Sequence, residues 1–231
     1  MFPTLLVIAT VVAAFAVGAL AAWPTVRRLR AQLADAIWRL TRDPLTGLCN
    51  RAGLLAAYTA LAAGPPQPIA VILIDLDAFK TINDSYGHDR GDDLLYEIGD
   101  RIDDTVIGHQ TTAARLSGDE FAVVLPTHHT DITDLVEQLL NVIAAPIGLV
   151  VDGVAVTVSI TASLGVAIAK TTDPLPSVTL RHADIAMYHA KKQGGAGFCL
   201  YQPGTAMPTP RHRPTVRRRD RHPHRGREAG A

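Results

Sequence analysis

The chain has 231 residues, a length that suits one ordinary domain with additional segments. Apolar residues make up 48% of it and charged residues 19%, a composition that excludes a largely disordered protein. The 22 basic and 22 acidic side chains cancel, but eight arginines and only two acidic residues fall within 202–231, which leaves the remainder slightly acidic. This balance excludes the basic surface of a nucleic-acid-binding domain, and we expect no nucleic-acid partner.

The N-terminal segment is strongly apolar. Residues 1–22 carry no charged side chain, and as a helix they would span roughly 33 Å, enough to cross a bilayer core. Trp23 stands where an interfacial aromatic would, and three arginines follow it closely: Arg27, Arg28 and Arg30. The pattern predicts a transmembrane anchor over residues 1–23 with the following chain in the cytoplasm. A cleaved signal peptide is the alternative, since Ala19-Leu20-Ala21 resembles a cleavage site.

A short helical linker is predicted over residues 24–42. Apolar residues recur there at spacings of three and four, at Val26, Leu29, Leu33, Ile37 and Leu40. Such a stripe is typical of a coiled-coil seam, although it covers fewer than three heptads. The alternative is a juxtamembrane helix that lies on its own domain.

Residues 43–201 have the pattern of a mixed α/β domain. A continuous apolar run at 69–74 predicts a strand that is buried on both faces. Residues 113–125 indicate two strands around a tight turn, and residues 154–169 are strand-rich with a break near Thr161. Helical spacing of apolar residues predicts four helices, over 54–61 (capped by Asn50), 94–106, 135–143 and 180–190.

Two acidic clusters could bind a divalent cation. Asp75-Leu76-Asp77 directly follows the buried strand, and Ser117-Gly118-Asp119-Glu120-Phe121 spans the predicted hairpin turn. Hard cations such as Mg²⁺ prefer carboxylate oxygens, and Gly118-Asp119 fits the central positions of a type II′ turn. We expect both Asp75 and Asp119 to lie near the surface. A solvated strand terminus and an ordinary β-turn are the alternatives.

Polar residues between the clusters could read a nucleotide. Asn83 and Asp92 offer an amide and a carboxylate to the edge of a guanine, and Lys80 could meet a phosphate. Asp92 would also be favourable simply as a negative charge near a helix N-terminus. His88 is as consistent with a structural histidine as with a ligand-binding one.

Four segments together resemble the GGDEF family of diguanylate cyclases. They are the domain-opening motif Asp43–Arg51, the segment Asp75–Leu95, the signature Ser117–Phe121 and the final-helix motif Ala183–Lys191. The signature differs by one residue, reading SGDEF. The four segments occur in the family's order across about 160 residues, which makes the resemblance highly specific.

The resemblance implies a fold and an activity. The fold is α/β (α+β), related to nucleotide cyclases and polymerase palm domains, with a mostly antiparallel central sheet flanked by helices and preceded by one transmembrane helix. The implied reaction condenses two GTP molecules into cyclic di-GMP and two pyrophosphates. Because each domain holds one GTP, a homodimer is required. The implied location is the bacterial inner membrane, with the catalytic domain cytoplasmic.

The resemblance also implies roles for individual residues. Two Mg²⁺ ions, or possibly Mn²⁺, would be held by Asp75, the carbonyl of Leu76 and Asp119. The resemblance assigns the catalytic roles to Asp119 and Glu120. The guanine would be held by Asn83, His88 and Asp92, and the phosphates by Lys80 and Lys191.

This chain departs from the family pattern in three places. Ser117 replaces the first signature glycine, and Gly195 stands where the family has an arginine that would contact the triphosphate. Gly108 and Thr111 occupy the positions of an Arg-x-x-Asp product-inhibition site, which is therefore absent. These departures keep a second function open, a catalytically degenerate domain that binds GTP or another nucleotide as a membrane-bound receptor or scaffold.

The remaining features are less specific. Residues 202–231 contain five prolines and few large aliphatic residues, which predicts a disordered basic tail. The tail is either inert or a contact for a membrane surface or nucleic acid. Cys49 and Cys199 have no metal-type spacing and are expected to be idle thiols in a reducing compartment.

Overall fold

The computed structural model describes residues 2–108, 111–128, 130–205 and 207, with side chains from residue 10 onward. A five-stranded sheet lies at its centre, in the order β2-β3-β1-β6-β7. The strands are β1 (Pro68–Leu76), β2 (Thr112–Ser117), β3 (Glu120–Pro126), β6 (Ala162–Lys170) and β7 (Gly197–Leu200). All neighbours are antiparallel except β6 and β7, which are parallel. Strands β4 (Ile147–Val151) and β5 (Val154–Val158) form a separate antiparallel hairpin.

Six α-helices accompany the sheet within the described residues. They are α1 (Phe2–Thr41), α2 (Arg51–Ala62), α3 (Phe79–Tyr86), α4 (His88–Val106), α5 (Ile132–Ala144) and α6 (Leu180–Lys192), and a π-helical turn at Leu175–Thr179 precedes α6. Because side chains alternate along a strand, central strand β1 supplies both faces of the sheet. Ala70, Ile72 and Ile74 pack in the core with α4 and α5. Residues 69, 71 and 73 pack in the core with α2 and α6.

Helix α1 is a single continuous helix of 40 residues with Pro24 inside it. The predicted boundary between an anchor over 1–23 and a linker over 24–42 therefore falls within one helix. From Thr10 to Leu40 its side chains are exposed. By length and composition the stretch from Thr10 to Thr41 could cross a membrane, a test that a signal sequence also passes.

A short turn joins α1 to the domain. The Asn50 side-chain oxygen accepts a hydrogen bond from the amide of Gly53 and so caps α2. Its Nδ2 donates to the carbonyls of Leu40 (3.0 Å) and Arg42 (3.1 Å). One side chain thus fixes the start of α2 and the end of α1 together.

Most of the predicted elements are confirmed. The strand at 69–74, the two strands within 113–125, the break near Thr161, the Asn50 cap and the four helices are all present. Helix α3, strand β4 and the π-helical turn were not predicted. Helix α3 has only eight residues and few apolar ones, so its periodicity is too short to detect. Of the predicted tail, residues 206 and 208–231 lie outside the described residues.

Candidate functional site

The two acidic clusters meet at one end of the sheet. In the β1–β3 ladder Asp75 lies opposite Glu120, and the amide of Leu76 donates to the carbonyl of Asp119 at 3.3 Å. Asp75, Asp119 and Glu120 are thereby brought to the same end of two neighbouring strands. Burial raises the pKa of Asp75, and the negative charges of Asp119 and Glu120 raise it further. A concentration of negative charge of this kind favours a bound cation.

Asp75 is more buried than the sequence predicts. Its relative exposure is 9%, so the expectation that it lies near the surface is wrong, whereas Asp119 is partly exposed. The reason is its central strand, which β3 and β6 flank on both sides. Burial raises the pKa of Asp75, and the ammonium of Lys191, 2.5 Å from its Oδ1, opposes that rise. Lys191, which was predicted to hold phosphate, therefore forms an ion pair with Asp75, which was predicted to bind metal.

The hairpin between β2 and β3 has the predicted two-residue turn. Ser117 and Glu120 pair across it, and Gly118 takes a positive φ of 45°. The Ser117 hydroxyl donates to Oε2 of Glu120 at 2.8 Å. The serine that replaces the first signature glycine therefore holds one of the candidate catalytic carboxylates.

The predicted guanine-reading residues lie on α3 and α4. Asn83 packs against Gly91, where a Cβ would collide with the Asn83 side-chain oxygen. The glycine thus lets Asn83 reach the first turn of α4, next to Asp92. His88 begins α4 and lies on the same helical face as Asp92, four residues on; both are exposed. Lys80 is exposed near the start of α3, and no ion pair is recorded for it in the described ranges.

Asp77 has a structural role that sequence reasoning did not assign. Its carboxylate accepts hydrogen bonds from Thr161 Oγ1 (2.7 Å), Ser163 Oγ (2.6 Å) and the amide of Ala196 (2.9 Å). These contacts tie the end of β1 to the start of β6 and to the loop after α6. The sequence shows Asp75 and Asp77 as an acidic pair. It does not show these contacts, because the segments that Asp77 joins are far apart along the chain.

Asp184 was also missed as a possible site residue. It is half-buried on α6, and burial and the nearby charge of Glu120 raise its pKa, while Lys191 opposes the rise. Asp184 stands inside the quoted motif Ala183–Lys191, so the motif itself was the signal that could have found it.

The oxygen ligands at the sheet end fit the chemistry of Mg²⁺. Asp75, Asp119 and Glu120 offer hard carboxylate oxygens, and Mg²⁺ is commonly held by one or two carboxylates together with substrate phosphates. Across residues 2–108, 111–128, 130–205 and 207, no group of three or more His, Cys, Asp or Glu side chains is already clustered as a metal site. A metal ion held by these carboxylates would need further oxygen ligands, such as those of a substrate phosphate.

Comparison with known proteins decides the family. A family model described as "Diguanylate cyclase, GGDEF domain" matches residues 40–196. The chain belongs to the GGDEF family. The bifunctional diguanylate cyclase/cyclic di-GMP phosphodiesterase MucR of Pseudomonas aeruginosa is 38% identical over 164 residues, covering 69% of this chain and 23% of MucR. Diguanylate cyclase TpbB of the same species is 37% identical over 171 residues, covering 72% of this chain and 38% of TpbB. The chain thus spans between about a quarter and two fifths of the length of these relatives.

Solved GGDEF structures show the same fold. The GGDEF domain of TpbB (YfiN) from P. aeruginosa superposes with a TM-score of 0.60 at 34% identity, covering 70% of this chain and 94% of that one. The coiled coil and GGDEF domain of DgcB from Caulobacter crescentus, solved in complex with c-di-GMP, gives 0.65 at 26% identity, covering 77% and 94%. The mixed α/β fold with a mostly antiparallel sheet is confirmed.

The GGDEF domain accommodates Gly195 in a tight loop. Gly194, Gly195 and Ala196 all have positive φ, and a Cβ on Gly195 would lie 3.1 Å from both carboxylate oxygens of Asp77. The loop passes around Asp77 in a backbone conformation that residues other than glycine rarely adopt. Both the backbone conformation and the nearby Asp77 carboxylate therefore oppose the arginine that the family has at this position.

Proposed function

We propose that this GGDEF domain is an active diguanylate cyclase, which condenses two GTP molecules into cyclic di-GMP and two pyrophosphates. The observation that carries the proposal is the pairing of Asp75 with Glu120, with Asp119 on the adjoining turn. Family membership supports it, because the family model is that of a diguanylate cyclase and relatives such as TpbB bear that name.

We assign guanine binding and phosphate binding to different residues of the site. Asn83 and Asp92, with His88 beside them, bind the guanine edge, since an amide and a carboxylate complement its acceptor and donor groups. Lys80 and Lys191 neutralise the phosphates. Lys191 exchanges Asp75 for phosphate when substrate enters, because its flexible side chain already lies at the end of the sheet.

Asp75, the Leu76 carbonyl and Asp119 would hold two Mg²⁺ ions, or Mn²⁺ in their place, and Glu120 would assist beside them. Such ions would supply Lewis-acid chemistry, activating the ribose 3′-oxygen of one GTP and stabilising the pyrophosphate that leaves the other. Since each domain has one such site, two copies face each other and the homodimer is the working unit.

The proposed location is the bacterial inner membrane, with the catalytic domain in the cytoplasm. The support is the apolar stretch of α1, together with the arginines that follow it. Carbonate-extracted membranes are expected to retain the chain with residues 1–22 still present. A periplasmic product shortened by about 22 residues would instead establish a signal peptide.

The activity is tested with the full chain in detergent, incubated with GTP and Mg²⁺, and cyclic di-GMP is detected by mass. Asp119→Asn is expected to lower the rate at least a hundredfold, because it removes the negative charge of a metal ligand while keeping its shape. Asp152→Asn is the matched control, because Asp152 is likewise an aspartate in a two-residue hairpin turn, between β4 and β5. Equal rates for the two variants would contradict the metal assignment.

A second candidate function is a GGDEF domain that binds GTP without cyclising it. Gly195 favours it, because the arginine expected to contact the triphosphate is missing. The loop that carries Gly195 packs against Asp77 and donates a hydrogen bond to it from the amide of Ala196. Equilibrium binding of GTP by the full chain, with no cyclic di-GMP formed in Mg²⁺ or Mn²⁺, would select this function over the first.

A further inference from the structure

A cleft of about 350 Å³ lies beside the hairpin, between α2 and α6. Its lining is mixed, and the apolar part includes Leu73, Leu116, Phe121 and Met187. The candidate guanine residues on α3 and α4 do not line it. The cleft opens instead on the α2/α6 face of the sheet and meets the candidate catalytic site only at Glu120.

Four charged side chains line this cleft: Arg51, Glu120, Arg181 and Asp184. Within the described part of the chain, no hydrogen bond or ion pair is recorded for Arg51, Arg181 or Asp184, and Glu120 is held by Ser117. Arg181 and Asp184 are three residues apart on α6 and yet do not pair. A half-buried carboxylate and two guanidinium groups are thus free to meet a ligand beside the apolar part of the lining.

We propose that this cleft is a second guanine-nucleotide subsite, distinct from the site formed by Asn83 and Asp92. A carboxylate such as Asp184 can accept both N–H groups of the guanine Watson–Crick edge. A guanidinium such as Arg181 or Arg51 can donate in a bidentate manner to guanine O6 and N7 or to phosphate oxygens. The apolar walls contact the face of the base, and the volume falls within the range of nucleotide-sized pockets.

The charged groups select guanine over adenine. Adenine offers no pair of adjacent N–H donors to a carboxylate and no O6 acceptor to a guanidinium. Because Glu120 borders both sites, a nucleotide in the cleft lies next to the proposed reaction centre. The occupant is either a second GTP or the product, and both present the same guanine and phosphate chemistry. This inference rests on the proposed function only in assuming that guanine nucleotides are the natural ligands.

Binding stoichiometry tests the proposal without measuring activity. Titration of the full chain in detergent with GDP and Mg²⁺ is expected to give two sites per chain. Asp92→Asn should remove one site, while Arg181→Ala or Asp184→Asn should weaken the other at least tenfold. Lys170→Ala, which removes an exposed cation at the far end of β6, should change neither. Thermal unfolding of each variant checks that it remains folded.

Competition experiments with the Asp92→Asn variant identify which nucleotide occupies the cleft. Displacement of GDP by cyclic di-GMP identifies the product as the occupant, and displacement by GTP alone identifies a second substrate. The proposal is overturned if Asp92→Asn abolishes all GDP binding while both cleft variants bind as the parent does, a result that leaves the proposed function intact. It is also overturned if ADP binds the cleft as tightly as GDP. Absence of guanine-nucleotide binding at either site would remove the proposed function as well.

Discussion

The Ser117 hydroxyl donates a hydrogen bond to Glu120 at the proposed reaction centre. A hydrogen bond to a carboxylate contributes about 1 kcal/mol or more, so removing it leaves Glu120 free to adopt other rotamers. Ser117→Ala and Ser117→Gly are expected to raise the Mg²⁺ concentration for half-maximal cyclisation by about three- to tenfold. Ser117→Thr, which keeps the hydroxyl, should behave like the parent. Assays at limiting Mg²⁺ check this, and parental behaviour of the Ala variant would show that the contact is not used.

The Asp43–Arg115 pair links the domain's opening motif to β2. Its side chains are mostly buried, with exposures of 18% and 13%, and Nη1 lies 3.1 Å from Oδ1. Burial raises the pKa of Asp43, but hydrogen bonds from Thr46 and the guanidinium of Arg115 outweigh it, so the pKa lies below its ordinary value. The carboxylate therefore stabilises the fold fully above the unfolded-state pKa of about 3.9, and this stabilisation is lost as the pH falls through the lower folded-state value.

Asp43→Asn is accordingly expected to lower the free energy of unfolding at pH 7 by about 2–3 kcal/mol. Its difference from the parent should shrink as the pH falls below about 4. Urea unfolding at several pH values measures both effects. The control is Asp35→Asn, whose partner Arg39 lies four residues away on an exposed helix, and which should cost less than about 0.5 kcal/mol. A pH-independent loss for Asp43→Asn would mean that packing, not charge, is responsible.

At the scale of elements, the loop between α6 and β7 depends on Gly195. Its φ of 73° and its closeness to Asp77 both oppose a side chain. Gly195→Ala should destabilise the domain by about 1–2 kcal/mol. Gly195→Arg should do the same and not raise GTP affinity, because Asp77 must shift first.

Thermal or urea unfolding and GTP binding together measure this effect. Gly148→Ala is the control, because its Cβ would meet nothing within 4 Å and its φ is not positive. An increase in GTP affinity of Gly195→Arg at unchanged stability would show instead that the loop accepts the family's arginine.

At the scale of the whole molecule, α1 presents an uncovered apolar stripe. Leu33, Ile37 and Leu40 have exposures of 61%, 52% and 72%. A second α1 would cover this stripe and bring two GGDEF domains together. DgcB, a structural neighbour, was solved with its coiled coil and GGDEF domain.

Leu33→Glu with Ile37→Glu is expected to weaken dimerisation at least tenfold and to lower cyclase activity per chain at low protein concentration. Higher protein concentration should restore activity, since the catalytic residues are untouched. Sedimentation in detergent and the concentration dependence of the rate measure this. Gln32→Ala, adjacent to the stripe, is the control. Full activity in a demonstrably monomeric variant would exclude the two-site reaction.

Several determinants could be predicted from the sequence because they are local. The Asn50 cap, the tight turn at Gly118-Asp119 and the doubly buried strand at 69–74 follow from residue type and spacing alone. The order of motifs likewise indicated the family before any contact was known. These features depend on neighbours a few residues apart, which a linear pattern records.

Only the tertiary structure decided the contacts between distant segments. The burial of Asp75 results from strands on both sides of β1. Its pairing with Lys191 and the hydrogen bonds of Asp77 to residues 161, 163 and 196 each join parts of the chain 84 or more residues apart. Linear spacing carries no record of strand order, and it is strand order that places β1 between β3 and β6. The sequence by itself determined which residues could do the chemistry. The sheet determined which of them are buried, paired or free, because burial and charge pairing depend on what the fold packs around each group.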